Sequence, residues 1–279
     1  DLTLNPEYVN VYVLTCGVTV PNGVILTVAA GVVIKASGTG RVSGFGTRFD
    51  LSVEGTLVAD GSAVEPVTFT SVNDSSIGGT TGSGNPSPGD WGGIYVHDGG
   101  SVNLEHAKAR YAQTPVFGAT SGTVRVVDSQ FSGFNYGGIT TAPSSVVITG
   151  SSFDGGQVGV MVDSPSVTLQ NNDASITGSL GAFSGVAYSV SSPTLDFGQI
   201  GGNTASGETA LLQVAGNAVS STYSGGLPLL INCSYTGGSV FFGSAGGELA
   251  VPSGSELTLA AGTTVKATEK CQLDAFGRL

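Results

Sequence analysis

Val124-Arg125-Val126-Val127-Asp128-Ser129-Gln130-Phe131-Ser132-Gly133 is followed 22 residues later by Val146-Val147-Ile148-Thr149-Gly150-Ser151-Ser152-Phe153-Asp154-Gly155, so that Phe131 recurs as Phe153. A third copy begins at Val167-Thr168-Leu169-Gln170-Asn171, 21 residues after Val146. A looser fourth begins at Leu195-Asp196-Phe197-Gly198, 28 residues after Val167. Self-similarity at a fixed period of this length marks a solenoid, and the longer last interval reads as one coil carrying a surface insertion.

Upstream, Val18-Thr19-Val20, Leu26-Thr27-Val28 and Val33-Ile34-Lys35-Ala36 are short strands separated by the turns Pro21-Asn22-Gly23 and Ala29-Ala30-Gly31. Three strands per turn predict one coil of a three-faced parallel β-helix. Leu51 to Gly61 and Val67 to Ser71 continue the pattern as the next coil. In such a stack each strand turns alternate side chains inward, and coils repeat about 4.8 Å apart. Val, Ile, Leu and Phe are therefore expected inside and glycine at the corners, where tight turns call for positive φ. The alternating segment Tyr8 to Leu14 is expected to pair onto or cap the first coil.

The composition agrees with many short strands: 45 glycines, one methionine and 10% charged residues in 279. No apolar run is long enough to span a membrane. Nine basic against twenty acidic residues give a net charge of −11, which repels phosphate backbones and argues against a nucleic-acid partner. Low charge with abundant Ser, Thr and Gly suits a secreted or cell-surface protein that touches polysaccharide, cations or another surface protein. Of three cysteines, Cys233 and Cys271 lie about two coils apart, a spacing compatible with a bridge, and Cys16 is expected to be an unpaired buried thiol.

A second, larger repeat appears at an offset of 231. It sets Val20-Pro21 on Val251-Pro252, Leu26-Thr27 on Leu257-Thr258, Ala29-Ala30-Gly31 on Ala260-Ala261-Gly262 and Lys35-Ala36 on Lys266-Ala267. The organisation expected is a β-helix module over 1–246, with an N-terminal capping strand and a polar loop at 71–89. Residues 247–279 then either start a second module in a longer tandem protein or form a terminal coil of the same solenoid. In the first case an open coil edge at the C-terminal end invites self-association.

The chemistry-bearing residues gather around the polar loop. Ser71 to Gly89 is almost devoid of apolar residues, and long excursions of this kind are usually functional or disordered. Its Asp74 and Asn85, with Asp90 just after it, are the candidate ligands for calcium, a cation that takes six or more oxygens. Trp91 and Tyr95 are candidates for stacking on sugar rings, with His97, Asp98, His106 and Arg110 as polar partners. Against that stand plainer roles: Trp91 over an apolar corner, Tyr95 packed on a coil face, His97 in a turn, and Arg110 paired with Glu105. Strand alternation puts Leu104, Ala107 and Ala109 inside and leaves His106, Lys108 and Arg110 on one exposed strand face. Asp128, Asp154, Asp173 and Asp196 come one per coil at intervals of 26, 19 and 23, which share no phase, so no catalytic residue is assigned.

Together these segments resemble bacterial secreted or surface proteins built of right-handed parallel β-helix repeats. The resemblance rests on Pro21 to Lys35, on Gly55-Thr56-Leu57, on Pro66 to Ser71, on Pro88-Gly89-Asp90-Trp91-Gly92-Gly93-Ile94 and on Arg110-Tyr111. It implies a right-handed β-helix and a scaffold or adhesin-like binding module without catalytic activity. Because the same fold hosts pectate lyases and polygalacturonases, the alternative is a polysaccharide-binding or polysaccharide-active protein.

Overall fold

The computed structural model of the chain describes residues 1–279 apart from 39–40, 43–47, 119–120, 179–185, 208–209, 232–247, 269–270 and 272. It is an all-β, right-handed parallel β-helix whose coils each contribute one strand to each of three long sheets. The first sheet stacks Leu2–Leu4, Ile25–Ala29, Thr56–Asp60, Ser101–Glu105, Thr123–Val127, Ser145–Thr149, Val167–Gln170 and Ile200–Gly201. The second runs from Val11–Leu14 through Val33–Ala36, Val67–Ser71 and Ala107–Arg110 to Thr204–Ser206, and the third from Val18–Val20 through Leu51–Val53 and Ile94–Val96 onward. No helix among the described residues is long and apolar enough to cross a membrane.

The 22-residue period is the strand register itself. Val124 pairs with Val146 and Val146 with Val167, while Phe131 pairs with Phe153. The Phe131 and Phe153 rings stack with centroids 5.1 Å apart and planes 7° from parallel. Inward positions of the second sheet read Ile34, Phe69, Ala109, Phe131, Phe153 and Ala174 from coil to coil, all buried. Large side chains thus stack along this row with an alanine at every third position, all packed in the interior of the rod.

Three details depart from the sequence reading. The coil after Val167 enters the first sheet at Ile200, paired with Leu169 at an offset of 31; Leu195 belongs instead to the third-sheet strand Val186–Leu195. The looser copy at Leu195 was a chance likeness, because the insertion between Ser175 and Val186 lengthens that coil. Val11–Leu14 pairs in parallel onto Val33–Ala36, as expected of that segment, while Leu2–Leu4 adds a further strand on Leu26–Val28 that the sequence reading did not place. Cys16 is an exposed free thiol, since it sits at the turn after Leu14 and not on an inward position. Cys271 is disulfide-bonded, and Cys233 lies outside the described residues. Near the C-terminal end Leu249–Val251 pairs with Gly216–Asn217, Leu257–Leu259 with Ser221–Tyr223 and Val265–Ala267 with Leu229–Ile231, all in parallel.

The corner between the first and second sheets is built by a column of left-handed residues: His106, Asp128, Gly150, Asn171 and Gly202, with φ between 45° and 67°. Each turns the chain sharply so that the next side chain points into the rod. Those next residues include Ser129, Ser151, Asn172 and Asn203, all buried, and they bond one to the next. Ser129 N–H donates to Ser151 Oγ, Ser151 N–H to Asn172 Oδ1, and Asn172 N–H to Asn203 Oδ1. A buried polar ladder of this kind satisfies backbone groups that the corner removes from the sheets.

Candidate functional site

The polar loop is a clasp on the outside of the second sheet. Outward positions Lys35, Thr68 and Thr70 on that sheet are fully buried, and the segment that follows Ser71 folds back over Lys35 and Thr70. The Lys35 ammonium donates to the carbonyls of Asp74, at 2.7 Å, and Gly79. The Asp74 carboxylate accepts from Thr70 Oγ1 at 2.8 Å and from both the amide and the hydroxyl of Ser76, with the Arg110 guanidinium 3.7 Å away. At the far end Asp90 accepts from Ser71 Oγ at 2.6 Å, Asn73 Nδ2 and the Ser87 amide. Both carboxylates therefore serve as internal fasteners, one at each end of the loop, while Asn85 is exposed. Among the described residues no group of three or more His, Cys, Asp or Glu is placed to hold a metal ion.

Burial pushes the Asp74 carboxyl up, but its hydrogen bonds from Ser76 and Thr70 and the nearby Arg110 charge outweigh that and hold it below the ordinary carboxylate range. A depressed folded pKa means that the ionised form stabilises the clasp above the unfolded value of about 3.9, and that this contribution is lost as pH falls through the folded value. Urea midpoints measured from pH 6 downward are expected to fall below about pH 4, and Asp74→Asn is expected to flatten that acid limb. An unchanged acid limb in the variant would assign the pH dependence elsewhere.

The corner between the third and first sheets forms an open groove of about 440 Å³, lined by Asn22, Glu54, Tyr95, His97, Asp98 and Gly99. Successive coils bring these residues side by side: Val53 pairs with Val96, so Glu54 and His97 leave the third sheet at the same level of neighbouring coils. The turns nest closely because glycine occupies the contact points. A Cβ on Gly100 would lie 2.3 Å from the Val53 carbonyl oxygen, and one on Gly122, whose φ is 95°, 2.0 Å from that of Gly100. Larger residues there would push the turns apart and break the line of side chains.

Tyr95 stands on the outer face of the third sheet, where its ring stacks on Phe117 at 5.8 Å and meets the His97 ring edge-on at 4.4 Å. Burial, and then the charge of Asp98, push the Tyr95 phenol up. Asp98 therefore lies close enough for its charge to be felt at the phenol, which remains a neutral hydroxyl able to donate and accept hydrogen bonds. An aromatic ring, an imidazole, an amide and two carboxylates share one solvent-open trough.

Of the residues expected from sequence to bind ligand, Tyr95, His97 and Asp98 come together in this groove. The other three do not. Trp91 is 2% exposed and its indole N–H donates to the Arg110 carbonyl at 2.8 Å, so it fills the corner between the second and third sheets and has no free face. His106 is a corner residue with φ 45° and not a strand residue, which corrects the exposed face assigned to it. Arg110 reaches back to Asp74 and not to Glu105, whose partner is Arg125 at 3.1 Å. Asn22 and Glu54 were missed because each sits in a turn one or two coils upstream. The signal for Glu54 was its place directly after the strand that pairs with Ile94–Val96.

Residues 1–149, more than half of the chain and including the whole groove, match the family described as a pectate-lyase like beta helix domain. No curated protein and no solved structure matches the chain.

Proposed function

The chain belongs to the pectate-lyase-like β-helix family, and from that premise we propose that it is an exported scaffold that displays a saccharide-binding groove at Tyr95 without turning its ligand over. The observation that carries this reading is the groove itself, where the Tyr95 ring lies in a trough rimmed by Asn22, Glu54, His97 and Asp98. Sugar recognition needs that combination: a flat apolar surface for the C–H face of a pyranose and polar groups around it for the hydroxyls. A rod of stacked coils holds such a surface rigidly and away from whatever anchors it. Export is supported by the disulfide at Cys271, since such bonds persist in oxidising compartments.

The test is a glycan array probed with the wild-type chain and with Tyr95→Ala. A specific set of saccharides is expected to bind, and loss of the ring is expected to weaken binding at least about tenfold. Retention of every signal by Tyr95→Ala would move the site away from the groove. Glu54 and Asp98 in one groove also favour a second reading, hydrolysis, which requires a carboxyl pair across the scissile bond. Release of reducing ends from an array-positive glycan, abolished by Glu54→Gln, would replace the binding reading with that one.

A further inference from the structure

We propose that the groove selects saccharides carrying a free, protonated amine, so that its ligand class is amino-sugar glycans and not polyuronates. This rests on the reading of the groove as a saccharide site. Among the described residues its lining carries the two carboxylates Glu54 and Asp98, with His97 and the Tyr95 phenol as the other ionisable groups and no lysine or arginine. An ammonium entering the trough meets two negative charges, which attract it. A uronate meets the same two charges with the opposite sign and lacks the cationic clamp that planar carboxylate recognition uses. The field of the whole chain, at net charge −11, works in the same direction at longer range. Asn22, at the rim, can donate to and accept from neutral hydroxyls, so it orients a sugar ring without discriminating charge.

The inference is tested by calorimetric titration of the full chain with three short oligosaccharides at about 150 mM salt, where long-range attraction is screened beyond about 8 Å. The probes are a β-1,4-linked glucosamine trimer, the same trimer fully N-acetylated, and a galacturonate trimer. The amine trimer is expected to bind at least tenfold more tightly than its acetylated counterpart, and the galacturonate trimer not to bind measurably. Glu54→Gln and Asp98→Asn are each expected to lower amine-trimer affinity about tenfold. Asp154→Asn, an equal change of charge at an exposed position on the outer face of the second sheet, is expected to leave it unchanged. Equal binding of the amine and acetylated trimers would overturn the amine preference while leaving a saccharide groove in place. A loss with Asp154→Asn as large as with Glu54→Gln would also overturn it, by showing general attraction to an acidic protein. Binding of none of the three trimers would sink the saccharide reading and the amine preference together. The ligand comparison uses the wild-type chain, so it stands even where a variant folds poorly.

Discussion

Lys35→Met is expected to free the loop between Ser71 and Trp91 from the second sheet, raising its rate of proteolytic cleavage about 100-fold while the rod stays folded. The methionine keeps most of the buried aliphatic stem and removes only the ammonium. That ammonium makes two charge-assisted hydrogen bonds, to the carbonyls of Asp74 and Gly79, and such bonds contribute about 1.5–3 kcal/mol each. Desolvation offsets part of this, as the downward push of burial on the Lys35 pKa shows, and the nearby Asp74 charge restores some of it. The net loss is about 3 kcal/mol, near the lower end of the range for removing one partner from a buried charged cluster. At 1.36 kcal/mol per decade this is about two orders of magnitude in the open population of the loop. Cleavage is read in residues 76–85 under conditions where opening is fast, so that the rate reports the open fraction. A rise of less than about threefold would mean that Asp90 and the Thr81 bond to the Val72 carbonyl hold the loop without Lys35.

Lys35 also shows where the sequence stops being legible. Its phase in the strand was readable, since Ile34 and Ala36 point inward and Lys35 outward, and an outward lysine on a β-helix is ordinarily solvated. What buries it is a loop that begins 36 residues later and returns across the same face, and nothing local encodes that return. The coil period, by contrast, was fully written in Val124, Phe131, Val146 and Phe153, because parallel in-register stacking repeats each residue's environment from coil to coil. Period detection failed only where an insertion changed coil length, as between Val167 and Ile200.

The groove was half legible for the same reason. Tyr95, His97 and Asp98 lie within four residues and could be read as a cluster, whereas Asn22 and Glu54 reach them only through coil stacking. Trp91 and Arg110 carried the right chemistry for sugar binding but lie on the other corner. The inward turn at Trp91 that hides its ring follows from its bridge to Ala112 on the next coil. Placing residues of a solenoid therefore takes the corner as well as the coil, and the corner is set by φ values that residue type only hints at. His106 and Asp128 take the same left-handed turn as Gly150 with quite different side chains.

Asn172→Ala is expected to be the most damaging single change at the first corner, lowering stability by about 3–4 kcal/mol in urea unfolding. The Asn172 side chain is 1% exposed and makes three bonds: Oδ1 accepts the Ser151 amide at 3.0 Å, while Nδ2 donates to the Ile148 carbonyl at 2.9 Å and to Asn203 Oδ1 at 2.9 Å. Alanine leaves the Ser151 amide and the Ile148 carbonyl buried without these partners, at about 1–3 kcal/mol each. Asn203 Oδ1 loses least, because it still accepts the Asn172 amide at 3.1 Å. Serine discriminates the parts of this sum, since Ser151 and Ser129 fill the equivalent places one and two coils nearer the N-terminus. Each of those hydroxyls accepts the amide of the coil before it and donates to the carbonyl two residues back in its own chain. Asn172→Ser should therefore restore the partner of the Ser151 amide but not that of the Ile148 carbonyl, and recover about half of the loss. Hydrogen exchange at the Ser151 amide is expected to be fast in the alanine variant and slow in the serine variant. Equal stability of the two variants would show that the carbonyl contact to Ile148, and not the amide ladder along the corner, is what asparagine adds to this coil.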